Sequence, residues 1–539
     1  MPEPIVKPFS LSFEELMTEV EAGVLKIPAF QRGFVWKPDQ TLGLLDSIAK
    51  RYPVGAFLIW ETTEFLDSLR EIGGMALPQV PEGREVKYVL DGQQRITSLY
   101  AAATGGEIDG ESYEVFLDLD ADLGDERLFQ RDGPASDRYV PLSGLLGDSP
   151  YLLTQGLSPE RLARFHKVHD AFLKYNFPCV LVKHQPIDAA CEMFTRVNTG
   201  GTPLKLFDIM LAKTWSPEFN LRDRWGELDQ TLSGVGYDRL DPPISLQALC
   251  ANVRGAISER EIFNISRAEV CAAWPHTAEC MKRAVDYLRQ SARVPGTRLL
   301  SYPSIIVVLS HFFHLNKGAA PTREQTGRLV SYVCRAGLSQ RYGGNPSSTV
   351  REDLRLMERI AAGKPGEVPI TYPVGAELIS DTRLRTSSAF CRAVLATMAS
   401  CRPVSIADGS EIILDNSFLA QANSKHYHHI FPKAYLRAKG CDDARINALP
   451  NIMFVPAQPH LTIGAQAPSK SLSKFSTTAG DAWDKWMHTH LITTKAWQAA
   501  MADDYDTFLS LRAKSIADRC NRLMGLSAQD VKEKFALMK

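Results

Sequence analysis

Histidines cluster near the C-terminal end of this chain. Four of its twelve histidines fall in one short stretch, namely His426, His428, His429 and His460. His428 and His429 are adjacent in the string HHIFPK, and Asn451 opens the apolar run NIMFV between them and His460. Imidazole changes charge near neutral pH and is the commonest metal ligand in proteins. These residue types can supply a base, metal ligands and a hydrogen-bonding amide to one site.

Hydrolysis of a phosphodiester is the chemistry that this set fits. A base deprotonates the attacking water, while a cation neutralises charge on the phosphate and the departing oxygen. We expect His429 to be the base and His428 with His460 to hold the metal. The Asn451 amide would fix either the loop or the imidazole of His429. Adjacent strand residues point to opposite faces, so the His pair can serve one site only where the strand bends or ends. The following Ile-Phe-Pro permits this, because proline cannot continue a strand ladder.

Two other interpretations of the histidines stay open. A structural zinc site usually recruits cysteine, but Cys441 is the one cysteine nearby and the chain has no C-x-x-C. His426 is a rival metal ligand, since it would share a strand face with His428. The later pair His488 and His490 is interpreted as surface.

The same segment resembles a known nuclease domain. The strings HYHHIFPKAYL, INALPNIMFV and QPHLTIGAQAPSKSL are similar to the HNH (His-Me finger) domain in the C-terminal half of GmrSD-type restriction proteins, in which a β-hairpin and a helix hold one divalent cation. The resemblance implies that His429 is the general base, Asn451 the hairpin asparagine, and His428 and His460 the metal ligands.

The segment departs from that family pattern at both ligand positions. His428 stands where an Asp or Glu is usual, and His460 where relatives usually have Asn. Mg²⁺ prefers oxygen ligands, whereas Mn²⁺, Ni²⁺ and Zn²⁺ accept imidazole. The expected cofactor is a divalent metal, Mg²⁺ or Mn²⁺, with Ni²⁺ or Zn²⁺ as alternatives.

Basic residues surround this segment although the net charge of the chain is -1. Between residues 420 and 475 the acidic residues are Asp442 and Asp443, and the basic ones are Lys425, Lys433, Arg437, Lys439, Arg445, Lys470 and Lys474. A local positive charge attracts a phosphate backbone, although it is also typical of a solvated face. The candidate DNA contacts are Lys425, Lys433 and Lys470.

A second candidate site lies in the string KYVLDGQQRITSLY. KYVL is an apolar run of strand type, and Ile96, Leu99 and Tyr100 have the spacing of a helix that begins within Gln93 to Arg95. A strand, a glycine turn and a helix start form an anion site, because the first helix amides are unpaired, and Arg95 adds a fork suited to phosphate. The structural alternative is that Asp91 caps the helix and Arg95 forms a salt bridge.

This N-terminal region also resembles the GmrSD family. The strings IPAFQRGFVW, LLDSIAKRYPVGAFLIW, YVLDGQQRITSLY and MFTRVNTGGTPL are similar to its N-terminal domain, a ParB/sulfiredoxin-like fold associated with nucleotide hydrolysis. The resemblance implies a nucleoside triphosphate bound by Asp91, Gly92, Gln93, Gln94, Arg95, Gln31, Arg32, Asn198 and Gly200. Gln93 or Gln94 would orient the attacking water. No Walker A pattern occurs, which excludes a P-loop NTPase.

The elements that must position these sites indicate an α+β protein that is predominantly helical. SFEELMTEVEAG predicts a helix capped by Ser12, and PDQTLGLLDSIAKRY one that Pro38 begins. We expect an α/β domain over residues 1–202, a helical linking or sensor region over 203–400, and an HNH-like ββα-metal domain with closing helices over 401–539. SIIVVLSHFF has an ambiguous period.

Composition bounds the remaining possibilities. The chain has 539 residues, of which 45% are apolar and 23% charged, as is ordinary for a soluble globular protein. Ten cysteines without disulfide-like spacing suit a reducing cytoplasm. No signal peptide and no long apolar stretch is visible, so we expect a cytoplasmic protein that neither leaves the cell nor spans a membrane.

Together these features predict a nucleotide-regulated, metal-dependent DNA endonuclease for modification-dependent restriction in anti-phage defence. Its partners would be modified phage DNA and a nucleotide, with a homodimer as the form that cuts both strands. One alternative is a ParB-like nucleotide-switch regulator that binds DNA and carries a degenerate, noncatalytic HNH segment. Another is a toxin-like nuclease or an RNA-acting enzyme whose first domain binds nucleotide without hydrolysis.

Overall fold

The computed structural model divides the chain into two compact units, Met1–Leu221 and Arg222–Lys539. It describes residues 5–28, 34–63, 84–122, 127–134, 136–147, 149–185, 206–216, 218–344, 346–369, 373–414, 427–456 and 466–536, together with 71–72, 75–76, 189–190, 78, 124, 193 and 464. The predicted division into three domains stays a prediction.

A five-stranded mixed sheet forms the centre of the first unit, in the order β1-β12-β3-β6-β2. Its strands are β1 (Ile5–Ser12), β2 (Leu25–Lys26), β3 (Phe57–Thr62), β6 (Val86–Asp91) and β12 (Asn176–Lys183). β12 runs antiparallel to β1 and parallel to β3, whereas β6 is antiparallel to β3 and parallel to β2. The strand predicted from KYVL is β6, which lies between β3 and β2 in this sheet.

The three helices of the first unit whose starts the sequence predicts begin at the expected residues. α1 (Phe13–Glu21) is capped by Ser12, whose hydroxyl accepts from the Glu15 amide while the Glu15 carboxylate accepts in return from Ser12. α2 (Pro38–Ala49) begins at Pro38. α3 (Gln93–Thr104) follows directly after β6. These local predictions are confirmed.

Short elements complete the first unit around this sheet. The strands are β4 (Glu71–Ile72), β5 (Met75–Ala76), β7 (Glu107–Ile108), β8 (Glu111–Ser112), β9 (Phe116–Asp118), β10 (Phe129–Gln130) and β11 (Tyr139–Pro141). The helices are α4 (Leu142–Leu145), a 3-10 turn (Pro150–Thr154), α5 (Pro159–Leu173) and α6 (Leu206–Thr214). Their apolar faces enclose one core, in which Ile96, Leu99 and Phe177 are fully buried.

Helices dominate the second unit. Its first part contains α7 (Leu221–Ser233), α8 (Pro243–Arg254), α9 (Glu259–Phe263), α10 (Arg267–Gln290), α11 (Ser304–Leu315), α12 (Arg323–Leu338), α13 (Pro346–Ala361), α14 (Ala376–Asp381) and α15 (Ala389–Ala399). SIIVVLSHFF, whose period is ambiguous, lies in α11. Nearly every side chain of that helix is buried, which explains why no polar face marks its period.

A small hairpin lies among the later helices of the second unit. β13 (Tyr427–His429) pairs with β14 (Ile452–Phe454), and α16 (Lys433–Ala438) and α17 (Asp443–Ile446) lie between them in sequence. The closing helices are α18 (Pro468–Ser471), α19 (Ser473–Ala479), α20 (Trp483–Thr489), α21 (Thr494–Met501), α22 (Tyr505–Leu523) and α23 (Ala528–Ala536). Phe431, Leu436 and Met453 bury the hairpin region against Phe508 of α22.

The architecture is α+β and predominantly helical, as predicted. The finer assignments, a ParB/sulfiredoxin-like first domain and an HNH-like hairpin, stay predictions at this level. Among the described residues, no helix has both the length and the apolar character needed to cross a membrane.

Candidate functional site

The adjacent histidines lie at the end of a strand. His428 and His429 pair with Met453 and Ile452 across the antiparallel hairpin. β13 ends at His429, the chain bends at Ile430, and Pro432 precedes the first turn of α16. Both histidines are still in the paired register, so the period of two applies between them, and only the residues after His429 are released from it. The expected strand end directly follows the pair, and the service of both imidazoles to one site stays a prediction.

Asn451 closes the loop between the two strands. Its carboxamide is fully buried: Oδ1 accepts from the Phe431 amide at 2.9 Å, and Nδ2 donates to the carbonyls of Phe431 at 3.1 Å and Ile446 at 3.0 Å. The Ile430 amide donates to the Asn451 carbonyl at 2.9 Å. The side chain of Asn451 therefore fixes the loop and does not hold the imidazole of His429.

A different amide holds the imidazole of His429. Its Nε2 lies 3.1 Å from Oδ1 of Asn447, while Nδ2 of Asn447 donates to the Asp443 carbonyl at 2.8 Å. Our sequence reasoning missed Asn447. Its signal was the first asparagine of INALPN, which precedes Asn451 on the same loop.

The expected metal ligands are described only in part. The side chain of His428 is buried, with 6% of its surface exposed. His460 and its rival His426 lie outside the described residues, as does Lys425. Within the part of the chain that the structure describes, no three His, Cys, Asp or Glu side chains converge closely enough to hold a metal ion. The assignment of His428 and His460 stays a prediction.

The basic residues near the hairpin divide into two groups. Lys433, at the start of α16, and Lys470, in α18, are exposed, and so are Lys439 and Lys474. Arg437 forms an ion pair with Asp443, and Arg445 forms one with Asp506. The lysines therefore supply most of the positive charge that faces solvent in this region.

His490 is not a surface residue, which corrects our prediction for the pair His488 and His490. The side chain of His490 is 3% exposed, and its Nε2 lies 2.8 Å from the carbonyl of Val404. Burial lowers the pKa of His490 to about 4. His488, two residues earlier in α20, is exposed and bonds the Asp484 carbonyl. α20 ends before His490, so the helix period no longer sets the direction of its side chain.

A buried arginine connects His490 to the loop of the hairpin. Arg512 of α22 is fully buried, and its guanidinium donates to the Pro450 carbonyl at 2.6 Å and to the His490 carbonyl at 3.1 and 3.2 Å. Burial lowers the pKa of Arg512 to about 9. The residue that precedes Asn451 is thus held by a side chain from a distant helix.

In the first unit, the DGQQR string forms the turn from β6 to α3. Gly92 has φ 108°, and a Cβ at this position would overlap the ring of Phe57. Glycine is the residue that tolerates both the left-handed backbone and the close approach. α3 begins immediately afterwards at Gln93, so the helix start that the sequence predicts after this turn is confirmed.

The contacts of the Arg95 guanidinium are those of a structural residue that forms a salt bridge. It pairs with Asp91 at 3.1 Å, donates to the carbonyls of Val54 at 2.8 Å and Ala56 at 3.0 Å, and stacks over Phe57. Burial lowers the pKa of Arg95, and the adjacent Asp91 opposes that shift. Asp91 therefore neutralises Arg95, while the residue at the cap of α3 is Gly92, with no side-chain bond there.

Gln94 holds the segment that follows FQR. Its Oε1 accepts from the amides of Val35 at 2.8 Å and Trp36 at 3.2 Å, and both Gln93 and Gln94 are buried. The other candidate nucleotide ligands lie outside the described residues, namely Gln31, Arg32, Asn198 and Gly200. The structure thus describes the strand-to-helix turn of this site and its contact with residues 35–36.

Comparisons with known proteins agree with this N-terminal arrangement. Residues 13–215 match the family model for the GmrSD restriction endonuclease, N-terminal domain. This part of the chain is therefore similar to the N-terminal domain of a class of restriction endonucleases. Along most of its length the chain is also similar to the uncharacterized protein MJ0686 of Methanocaldococcus jannaschii, with 21% identity over 527 residues that cover 85% of each protein. The predicted resemblance is confirmed for the N-terminal domain, and the HNH domain stays a prediction.

Proposed function

We propose that this chain is a metal-dependent DNA endonuclease whose cutting centre is the β13–β14 hairpin. One observation carries the proposal: the imidazole of His429, at the end of a strand, is bound by Asn447 on a loop that the buried Asn451 closes. A general base must be held in place before it can take a proton from water in the transition state. An imidazole with no such support would be a weak candidate.

The residues of the hairpin divide the work of hydrolysis. His429 takes the proton of the attacking water, and Asn451 keeps the loop in position. His428 with His460 would hold a divalent cation, whose chemistry is to neutralise charge on the phosphate and the departing oxygen. Two imidazole donors fit Mn²⁺, Ni²⁺ or Zn²⁺ better than Mg²⁺.

DNA is the substrate that the charges and the comparison favour. The exposed Lys433 and Lys470, together with Lys425, would contact the phosphate backbone, which makes affinity depend on salt. The similarity of residues 13–215 to a restriction endonuclease domain supports restriction of foreign DNA, such as modified phage DNA. One centre per chain cuts one strand, so cleavage of both strands would require two copies or two events.

The first unit would bring cutting under nucleotide control. We propose that a nucleoside triphosphate binds at the start of α3, because the positive end of the helix dipole attracts phosphate, with Gln93 or Gln94 orienting a water. Asp91 and Arg95 would then support the turn that precedes this helix end. Control of cutting requires that the nucleotide bind two arrangements of the protein with different affinities.

Nicking of a supercoiled plasmid tests the cutting centre. Wild-type protein should nick in the presence of Mn²⁺, Ni²⁺ or Mg²⁺, and His429→Ala should lose nicking while phosphate release from nucleotide continues. His488→Ala is the matched control, because that histidine is exposed and lies outside the hairpin. Nicking that persists in His429→Ala would refute the base assignment. No nicking by wild type under any metal and nucleotide would favour the nucleotide-switch regulator instead.

Phosphate release tests the nucleotide site separately. Arg95→Ala removes the ion pair with Asp91 and the bonds to residues 54 and 56, so we expect release to fall. Arg127→Ala is a control in the same unit, since Arg127 is exposed in an ion pair with Asp39. Equal release by wild type and Arg95→Ala would remove the DGQQR turn from the mechanism.

A further inference from the structure

Which of the two ring nitrogens of His429 can accept a proton depends on where its single hydrogen lies. A neutral imidazole carries one hydrogen on either Nδ1 or Nε2, and the nitrogen without hydrogen is the one that accepts a proton. The two tautomers are close in energy in water. A fixed neighbour that accepts or donates at one nitrogen therefore selects the tautomer.

Asn447 presents an acceptor to Nε2 of His429. Its Oδ1 lies 3.1 Å from that nitrogen, and its Nδ2 donates to the Asp443 carbonyl at 2.8 Å. A rotation of the amide by 180° would set Oδ1 against the Asp443 carbonyl, and two acceptors cannot share a hydrogen bond. The amide orientation is thus determined by Asp443, and Nε2 of His429 must carry the hydrogen that Oδ1 accepts.

The backbone of Asn447 is held on both sides. The Leu384 amide donates to the Asn447 carbonyl at 2.8 Å, and the Leu449 amide donates to the Thr382 carbonyl at 2.9 Å. The Asn447 amide itself donates to Asp443 at 3.2 Å. The segment before α15 therefore fixes the position of Asn447, which is the support that a residue acting through another side chain requires.

We propose that Asn447 is a positioning residue that holds His429 in the tautomer with hydrogen on Nε2, so that Nδ1 is the nitrogen that takes the proton from water. The role of Nδ1 as the proton acceptor rests on the proposed nuclease function, whereas the tautomer is a property of the protein without any substrate. Asn451 cannot serve this purpose, because both atoms of its carboxamide bond the backbone of residues 431 and 446.

Nitrogen NMR of the full-length protein, labelled at histidine with ¹⁵N, tests the tautomer without any activity. The His429 resonances are those that His429→Gln removes. In wild type at neutral pH, Nε2 should have the shift of a protonated ring nitrogen and Nδ1 that of an unprotonated one. Asn447→Gln keeps an amide with both an oxygen acceptor and an N–H donor and should retain this pattern, whereas Asn447→Leu should shift it towards a mixture. The opposite pattern in wild type, or an unchanged pattern in Asn447→Leu, would overturn the proposal.

Kinetics of plasmid nicking then test what the tautomer does. Asn447→Leu should lower kcat by about 10- to 100-fold, as loss of a supporting bond commonly does, with KM unchanged, and Asn447→Gln should recover most of that loss. Asn316→Leu is a control, since Asn316, which directly follows α11, bonds the carbonyl of Ala319.

Protection of the Phe431 amide from hydrogen exchange reports whether the hairpin folds in Asn447→Leu. If Asn447→Leu does not fold, the tautomer observed in the wild-type protein alone tests the proposal. A wild type that shows the expected tautomer but never nicks would refute the proposed function and leave the tautomer assignment standing.

Discussion

Acid should destabilise the second unit through the buried imidazole of His490. In the folded protein its pKa is about 4, against an ordinary value of 6.5. Between these two pH values the unfolded chain binds a proton that the folded chain does not. Its contribution to the free energy of unfolding is therefore complete above about pH 6.5 and is lost as the pH falls towards 4.

The size of this contribution follows from the shift of the pKa. A shift of one pKa unit corresponds to about 1.4 kcal/mol, so the full loss below pH 4 is roughly 3 kcal/mol. Between pH 7.5 and pH 5.5, where carboxylates titrate little, the loss is about 1 kcal/mol. His311 is also buried with a pKa of about 4 and adds a loss of the same sign, so His490 must be isolated by a variant.

The substitution His490→Gln isolates the contribution of His490 to this pH dependence. Glutamine keeps an N–H that can reach the Val404 carbonyl but does not titrate. Urea unfolding of wild type and variant is followed at pH 7.5 and 5.5 by hydrogen exchange of peptides from α20 and α22. His490→Gln should lose about 1 kcal/mol less than wild type over this interval. His488→Gln, changed at an exposed position, should behave as wild type. Identical pH dependence of wild type and His490→Gln would refute the inference that burial lowers the pKa of His490.

Three further substitutions test the contacts that support the two sites. Asn451→Ala leaves the backbone of Phe431 and Ile446 without partners, so it should cost about 3 kcal/mol and speed hydrogen exchange at Phe431; an unchanged rate would contradict this. Arg512→Leu removes the donors to the Pro450 and His490 carbonyls. It should lower the free energy of unfolding of the second unit in urea by about 3 kcal/mol. A variant as stable as wild type would contradict this and show that relief of the buried charge offsets the lost bonds. Gly92→Ala should lower the thermal stability of the first unit by about 2 kcal/mol or more, since the left-handed backbone and the Phe57 ring both oppose a Cβ; Gly43→Ala, with open space around it, is the control.

The sequence determined the features that depend on neighbouring residues. Ser12 with Glu15, and Pro38, mark helix starts because a cap or a fixed φ acts within one turn. The same holds for the turn at Gly92, where a strand ends and α3 begins. The types and order of the histidines and of Asn451 indicated the chemistry, and the match of residues 13–215 to a restriction endonuclease domain supports the N-terminal resemblance.

The period of α11 shows one limit of the sequence. A helix reveals itself by an apolar stripe opposite a polar one, but SIIVVLSHFF is buried on nearly all sides. Its apolar run is therefore equally compatible with a buried strand. Packing within the helical unit decides between the two, and that information lies outside the run itself.

Tertiary structure alone decided which partner each polar side chain has. Asn447 and Asn451 are both short amides of one loop, yet the first bonds His429 and the second bonds Phe431 and Ile446. The Arg95 fork was suited to phosphate by its type, but carbonyls of residues 54 and 56 lie within its reach. A buried polar group must find a partner, and which partner is near depends on residues distant in the chain. The residue types thus limited the possible chemistry, while the fold decided which atoms each polar side chain bonds.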